Sequence, residues 1–163
     1  MEAALDVTYR SIGTIHSPFT DLRDMPVQPA SEASAPGVVE ILPDYAEGLR
    51  DLEGFSHVIL IYHLHAVKRM DLTVTPFLAA GPKGVFATRA PTRPNPIGLS
   101  VVKLERIEGT RLHVAALDVL DGTPLLDVKP YVEEFDHPSG SVAGWLDEAR
   151  GKVRGKRSDD RFI

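Results

Sequence analysis

Cysteine is absent from this 163-residue chain, which removes disulfides, thiolate zinc sites and a cysteine nucleophile together. Long apolar runs are missing too. The longest, Val58 to Tyr62, is far too short to span a bilayer. The N-terminus, MEAALDVTYRSIGTI, has no basic start followed by an apolar core, so it does not read as a secretory signal. A soluble, cytoplasmic protein is expected. No G-x-G-x-x-G follows a strand-like run, and neither G-x-x-x-x-G-K-[ST] nor H-E-x-x-H occurs. The usual dinucleotide and phosphate cradles are thereby excluded, as is the helical metalloprotease motif. Internal repeats and low-complexity segments are also lacking.

Positive charge is in deficit overall. Eighteen basic side chains face 23 acidic ones, a net charge of −5, which argues against a generic nucleic-acid coat. The distribution says more than the sum. Residues 1–149 hold twelve basic and twenty-one acidic side chains, whereas residues 150–163 hold six and two. Lys83 to Arg111 also hold six basic and two acidic. Cationic character therefore gathers in one internal stretch and in the C-terminal tail, which reads equally as a solvated end.

What remains is a series of short strand-like segments punctuated by turns. Strands are expected at Val7–Ile15, Gly37–Leu42, Phe55–Leu64 and Gly84–Thr88. Leu99–Ile107 and Arg111–Leu120 form an expected hairpin about Glu108-Gly109. A turn at Asp121-Gly122 leads into Leu125–Val128. Asp44 is placed to cap a short helix running to Leu49 or Leu52. Trp145, Ala149 and Val153 fall four apart, as one face of a C-terminal helix requires. Thr20 to Pro36 is irregular and proline-bearing, a length of loop that usually has a function. The fold class is mainly β, a barrel or curved sheet with a few short helices, and not a βαβ array. The expected division is a barrel domain over 1–140 and a helix with basic tail over 141–163.

The stretch GVFATRAPTRPNPIGLS, Gly84 to Ser100, stands out. Pro94 and Pro96 fix their own φ and push Arg93 and Asn95 toward extended backbone. Both side chains are thus presented with little entropy left to lose on binding. Arg89 offers a planar five-donor fork suited to carboxylate or phosphate, and Asn95 an amide that matches an adenine edge. The alternative is a rigid turn whose arginines form weak surface pairs. In LDVLDGTPLLDVKPY, residues Asp127, Lys129 and Tyr131 alternate along an extended segment and share a face. They read as an ion-pair cluster or as an acid–base set. His63 and His65 also fall on one strand face, where a structural or hydrogen-bonding role is preferred to metal binding for want of a third ligand.

Taken in order, SIGTIHSPF, MPVQPA, LEGFSHVILIYHLH, GVFATRAPTRPNPIGLS and DVLDGTPLLDVKPY resemble the YaeB family, also called TsaA-like or TrmO. The likeness runs from about Tyr9 to Asp136. It implies a single-sheet, non-Rossmann β-barrel and S-adenosylmethionine-dependent methylation of tRNA. The implied target is N6 of the threonylcarbamoyl-modified adenosine 37 in the anticodon loop, with the cofactor in a crevice where two subunits of a homodimer meet. Carried over by position, the cofactor contacts are Gln28, Pro29, Ala30, His65, Ala66, Arg89, Leu99, Asp121, Gly122, Thr123 and Pro124. Asp127 and Tyr131 become candidate bases or orienters, Lys129 and Arg93 anion holders, and Asn95 the reader of the base edge. Three departures stand beside the likeness: Val27 where arginine is frequent, Ala90 where serine is frequent, and no further C-terminal domain. A cofactor-sensing dimeric module and a small-molecule methyltransferase are the competing classes.

Overall fold

The structure is a computed structural model that describes residues 5–25 and 35–149. Eight strands are found among those residues. They are β1 Gly13–His16, β2 Ala35–Ile41, β3 His57–His63, β4 Thr73–Val74, β5 Lys83–Gly84, β6 Ile97–Glu108, β7 Arg111–Leu117 and β8 Thr123–Pro130. Six close into an antiparallel barrel in the order β1-β2-β7-β6-β3-β8. Closure leaves none of the six with an unpaired edge.

Period-2 alternation fills the interior. Val58, Leu60 and Tyr62 of β3 point inward, as do Ser100, Val102 and Leu104 of β6 and Leu112 and Val114 of β7. Ile15, Val39, Ile41, Leu52, Leu117, Val119 and Leu125 complete one contiguous core. Each such aliphatic side chain contributes about 1.5–3 kcal/mol by leaving water. The register of β3 against β8 shifts between Ile61, opposite Asp127, and Tyr62, opposite Leu125. That bulge bends the sheet and resets its parity, so Val128 packs on the core while Asp127 and Lys129 pair at 2.8 Å on the outer wall. The β6–β7 turn uses Gly109 at φ 61°, as the expected hairpin requires.

Several boundaries differ from the sequence expectation. The first strand is confined to Gly13–His16, which pairs along its length with β2 and through Gly13, Thr14 and Ile15 with β8. Gly84–Thr88 is not a strand: β5 ends at Gly84, and Val85–Ala87 is a 3-10 turn. Thr88 closes that turn by donating both its amide and its hydroxyl to the Val85 carbonyl. Asp44 is no cap; the helix is a 3-10 element, Pro43–Leu49, beginning after Leu42 with no side-chain cap, and Asp44 lies in its first turn. β7 stops at Leu117 rather than Leu120, just after Ala116, whose φ of 60° breaks the ladder. Near the C-terminus the helix is 3-10, Gly144–Ala149, and Val153 and the basic tail lie outside the described residues.

Antiparallel order gives the barrel two distinct mouths. At one, His16, Ala35, His63, Ile97, Leu117 and Thr123 end or begin their strands; Gly13, Ile41, His57, Glu108, Arg111 and Pro130 do so at the other. The β3–β6 connection arches over the first mouth. It carries the β4–β5 pair and a small core of Val74, Val85 and Ala90 with Phe77 against it.

Candidate active site

The first mouth is built by the segments after β1, β3 and β7. The turn between β7 and β8 is tied to the exit of β1. Asp121 Oδ1 accepts the Ser17 amide at 3.0 Å, Ser17 Oγ donates to the Val119 carbonyl at 2.6 Å, and the Gly122 amide donates to the Ile15 carbonyl at 2.9 Å. His16 Nδ1 stands 3.5 Å from Asp121 Oδ1. Gly122 adopts φ 77°, the left-handed conformation that a tight Asp-Gly turn needs. Thr123 Oγ1 donates to the Leu120 carbonyl and lies 3.4 Å from His65 Nδ1. The end of β3 is thereby joined to the start of β8.

The loop from Thr88 to Pro96 is held from within by Arg93. One nitrogen, Nη1, donates to the carbonyls of Thr88 at 2.9 Å, Ala90 at 3.1 Å and Val85 at 3.3 Å. Carbonyl groups crowded on a curved backbone are thus satisfied by one rigid cation. The neighbouring Thr92 is wholly buried and its Oγ1 has no hydrogen-bond partner.

From the barrel interior to this mouth runs a chain of three polar groups. Ser100 Oγ donates to Asp118 Oδ1 at 2.6 Å and sits 2.8 Å from the Tyr62 hydroxyl. Serine has one proton to give. With that proton on Asp118, Tyr62 must be the donor to Ser100, which fixes the direction of the chain. A Cβ on Gly98 would fall inside the Tyr62 ring, so the glycine of the Pro-Asn-Pro-Ile-Gly stretch is what lets the phenol cross the barrel. Burial pushes the Asp118 carboxyl up to about 6, against the lowering effects of Ser100 and the Arg89 cation. Burial and the Asp118 charge push the Tyr62 phenol well above its usual range, so it stays protonated.

A family model described as the tRNA-methyltransferase O N-terminal domain matches residues 14–137. This chain belongs to the TrmO family. It is 49% identical over all 163 residues, and 89% of the relative, to a probable S-adenosyl-L-methionine-binding protein of Pyrococcus abyssi. It is 37% identical over 134 residues to a mouse tRNA (adenine(37)-N6)-methyltransferase, covering 78% of this chain and 31% of the mouse protein. A crystal structure of TrmO superposes with a TM-score of 0.74 at 42% identity, over 86% of this chain and 64% of that one. The chain thus spans under two thirds of that solved chain and about a third of the mouse protein.

Within this TrmO barrel the expected site residues separate into groups. Arg89, Arg93, Asn95, His65, Ala66 and Asp121 to Thr123 are brought to the first mouth, with Pro124 following on β8. Leu99 faces outward, opposite Ile61, and is 49% exposed; it lies on the wall beside the mouth. Gln28, Pro29 and Ala30 lie outside the described residues. Asp127, Lys129 and Tyr131 run away from the mouth along the outer wall. Lys129 pairs with Ile59, and the Tyr131 amide donates to the His57 carbonyl at the far end of β3. Six residues of strand separate Thr123 from Lys129, about 20 Å. One protomer does not bring this trio to Arg89. The Asp127–Lys129 contact is instead an exposed ion pair that raises the Lys129 ammonium, and Tyr131 packs edge-on against His57 at 6.2 Å.

The sequence reading missed Tyr62, Ser100 and Asp118 as a unit. A signal was present for two of them. Tyr62 follows Val58 and Leu60, and Ser100 precedes Val102 and Leu104, at the same alternation. A hydroxyl at an inward position of an apolar strand needs a partner.

Proposed function

We propose that this protein transfers a methyl group from S-adenosylmethionine to N6 of threonylcarbamoyl-modified adenosine 37 of tRNA, as a homodimer in the cytoplasm. One observation carries the reading. At a single barrel mouth, Arg89 and the turn carboxylate Asp121 gather near Asp118, a half-buried carboxyl that Ser100 and, through it, Tyr62 hold by hydrogen bonds. Membership of the TrmO family supplies the chemical context.

The donor set suits the cofactor. Arg89 supplies a fork for the carboxylate of the methionine end. Asp121, a partly exposed carboxylate, balances its amino or sulfonium charge. S-adenosylmethionine, when bound, supplies an electrophilic methyl group. The chain's own residues position the acceptor and deal with the proton. An N6 nitrogen is a weak nucleophile and loses a proton on methylation; Asp118 accepts it, with Ser100 and Tyr62 donating in series to steady the carboxylate. Arg93 keeps the loop rigid beneath Arg89 and Asn95, and Asn95 reads the base edge. Much of the rate comes from holding the acceptor in line.

An apolar strip on the outer wall favours the dimeric reading. Ile59 and Ile61 of β3 and Leu99 and Val101 of β6 alternate outward, an apolar strip bordered by Asp127 and Lys129. A second copy on this strip would bring its Asp127, Lys129 and Tyr131 toward its neighbour's mouth. That gives the trio a role it lacks within one protomer.

The test is mass analysis of anticodon-loop nucleosides from cells lacking the gene. Loss of one methyl group from the modified adenosine, restored by the purified protein with S-adenosylmethionine, is the expected outcome. An unchanged nucleoside profile would favour a cofactor-sensing module or a small-molecule methyltransferase.

A further inference from the structure

The β3–β6 connection differs in charge from the rest of the molecule. Residues 64–96 carry five basic side chains, Lys68, Arg69, Lys83, Arg89 and Arg93, and one acidic, Asp71. The remaining chain has thirteen basic and twenty-two acidic side chains. Arg69 pairs with Asp71 at 3.1 Å, and Arg93 Nη1 donates to three carbonyls while the guanidinium keeps its charge. The segment as a whole is therefore a positive field, to which Lys68 and Lys83 contribute.

In the middle of that field stands Phe86, 77% exposed. Its backbone neighbours are held on both sides. Val85 on one side is buried, donates its amide to the Leu72 carbonyl, and accepts from Thr88 and Arg93. Ala87 on the other side accepts the Trp145 indole N–H at 2.8 Å. The Lys83 ammonium lies 6.0 Å from the Trp145 ring centroid. The Phe86 ring makes no ring contact among the described residues. A turn fixed at both ends that holds a phenyl mostly out to water gains little from it in folding, because little of its apolar area is buried.

We infer that Phe86 is a stacking platform for an unpaired base of the RNA loop, with Lys83 and Lys68 on the adjoining phosphates. Unpaired bases stack on aromatic side chains without regard to sequence. The inference rests on the tRNA reading above and extends it to the docking surface. A rigid mount suits the task, since little freedom remains to be lost on binding. Apart from the basic tail, the rest of the chain is acidic and disfavours phosphate, which favours RNA on this side of the mouth.

The test uses the full chain and a fluorescein-labelled anticodon stem-loop RNA, with a blunt duplex of equal length as control, followed by fluorescence anisotropy. Phe86→Ala should weaken stem-loop binding about tenfold, and Phe86→Trp should restore it. Lys83→Ala should instead reduce the salt dependence of binding by about one phosphate contact. Calorimetric affinity for S-adenosylmethionine should be unchanged in both alanine variants. Phe86→Ala that binds the stem-loop as tightly as the native protein overturns the platform alone. So does a change in its oligomeric state by light scattering, which would seat a second copy of the chain on Phe86. A native protein that prefers neither RNA overturns the tRNA reading, and the platform falls with it.

Discussion

Asp118 is a carboxyl whose proton the fold holds on to. Its ordinary value is 3.8, and burial raises it to about 6. Between those two values the folded state binds a proton that the unfolded chain has released. Stability from this group is therefore greatest below about pH 4, falls as pH rises through the window, and is level above 6. Asp118→Asn removes the titration. Denaturant unfolding at pH 4 and pH 7 should show the native protein losing on the order of 2 kcal/mol more than the variant over that interval. In methyl-transfer assays the native rate should fall as pH drops below about 6, while Asp118→Asn should be slow at every pH. A native pH profile that persists in the variant would assign the proton elsewhere. The chain above Asp118 makes a second, graded prediction. Tyr62→Phe leaves Ser100 bonded to Asp118 and should cost about 1 kcal/mol of stability. Ser100→Ala strands both a buried phenol and a carboxylate and should cost about 2–3 kcal/mol. Chemical denaturation that ranks the two in the opposite order would contradict the direction assigned to the chain.

At the scale of elements, the loop between β5 and β6 owes its shape to a side chain rather than to a backbone ladder. Pro94 and Pro96 stiffen its second half, but its first half curls because Arg93 gathers three carbonyls on one nitrogen. Arg93→Ala should release residues 85–93, seen as faster amide exchange there, at a cost of about 1–3 kcal/mol from the stranded carbonyls. Because Arg89 rides on the same loop, cofactor affinity and turnover should fall together. From sequence alone, turnover would fall and affinity would hold. Calorimetry on Arg93→Ala separates the two outcomes: retained affinity would return Arg93 to the substrate side. The same element logic explains why Val85–Ala87 is a 3-10 turn. Its hydrogen bonds come from Thr88, and Arg93 and Trp145 anchor it from outside.

At the scale of the whole molecule, the distance between Arg89 and Tyr131 is the main constraint. Opposite ends of a wall about 20 Å long cannot act on one substrate within one protomer. A site shared across a two-fold axis predicts complementation. Arg89→Ala and Tyr131→Phe, each inactive alone, should regain about a quarter of native activity when refolded together, because half the dimers are mixed and each has one intact site. No recovery, with mixed dimers confirmed by mass spectrometry, would remove Tyr131 from the reaction.

Composition and alternation, read from the sequence alone, determined the class of fold. Short strand-like segments between turn signals, without long apolar runs, pointed to a mainly β chain, and which residues of those strands face the interior was decided by the ladders. The stiffness of Gly84 to Ser100 and its positive charge were legible too, since proline geometry and charge are local properties. Tertiary structure alone decided which residues meet. Tyr62, Ser100 and Asp118 come from β3, β6 and the end of β7, and only the register of the ladders puts their oxygens within 3 Å. The bulge opposite Ile61 sends Asp127 and Lys129 outward and away from the mouth. Arg93 was legible as a cation on a stiff loop, and only the curl of that loop gives its Nη1 three carbonyls to hold. Local preferences fix the strand and its faces over a few residues. Register, bulges and closure are collective, and the site is made of them.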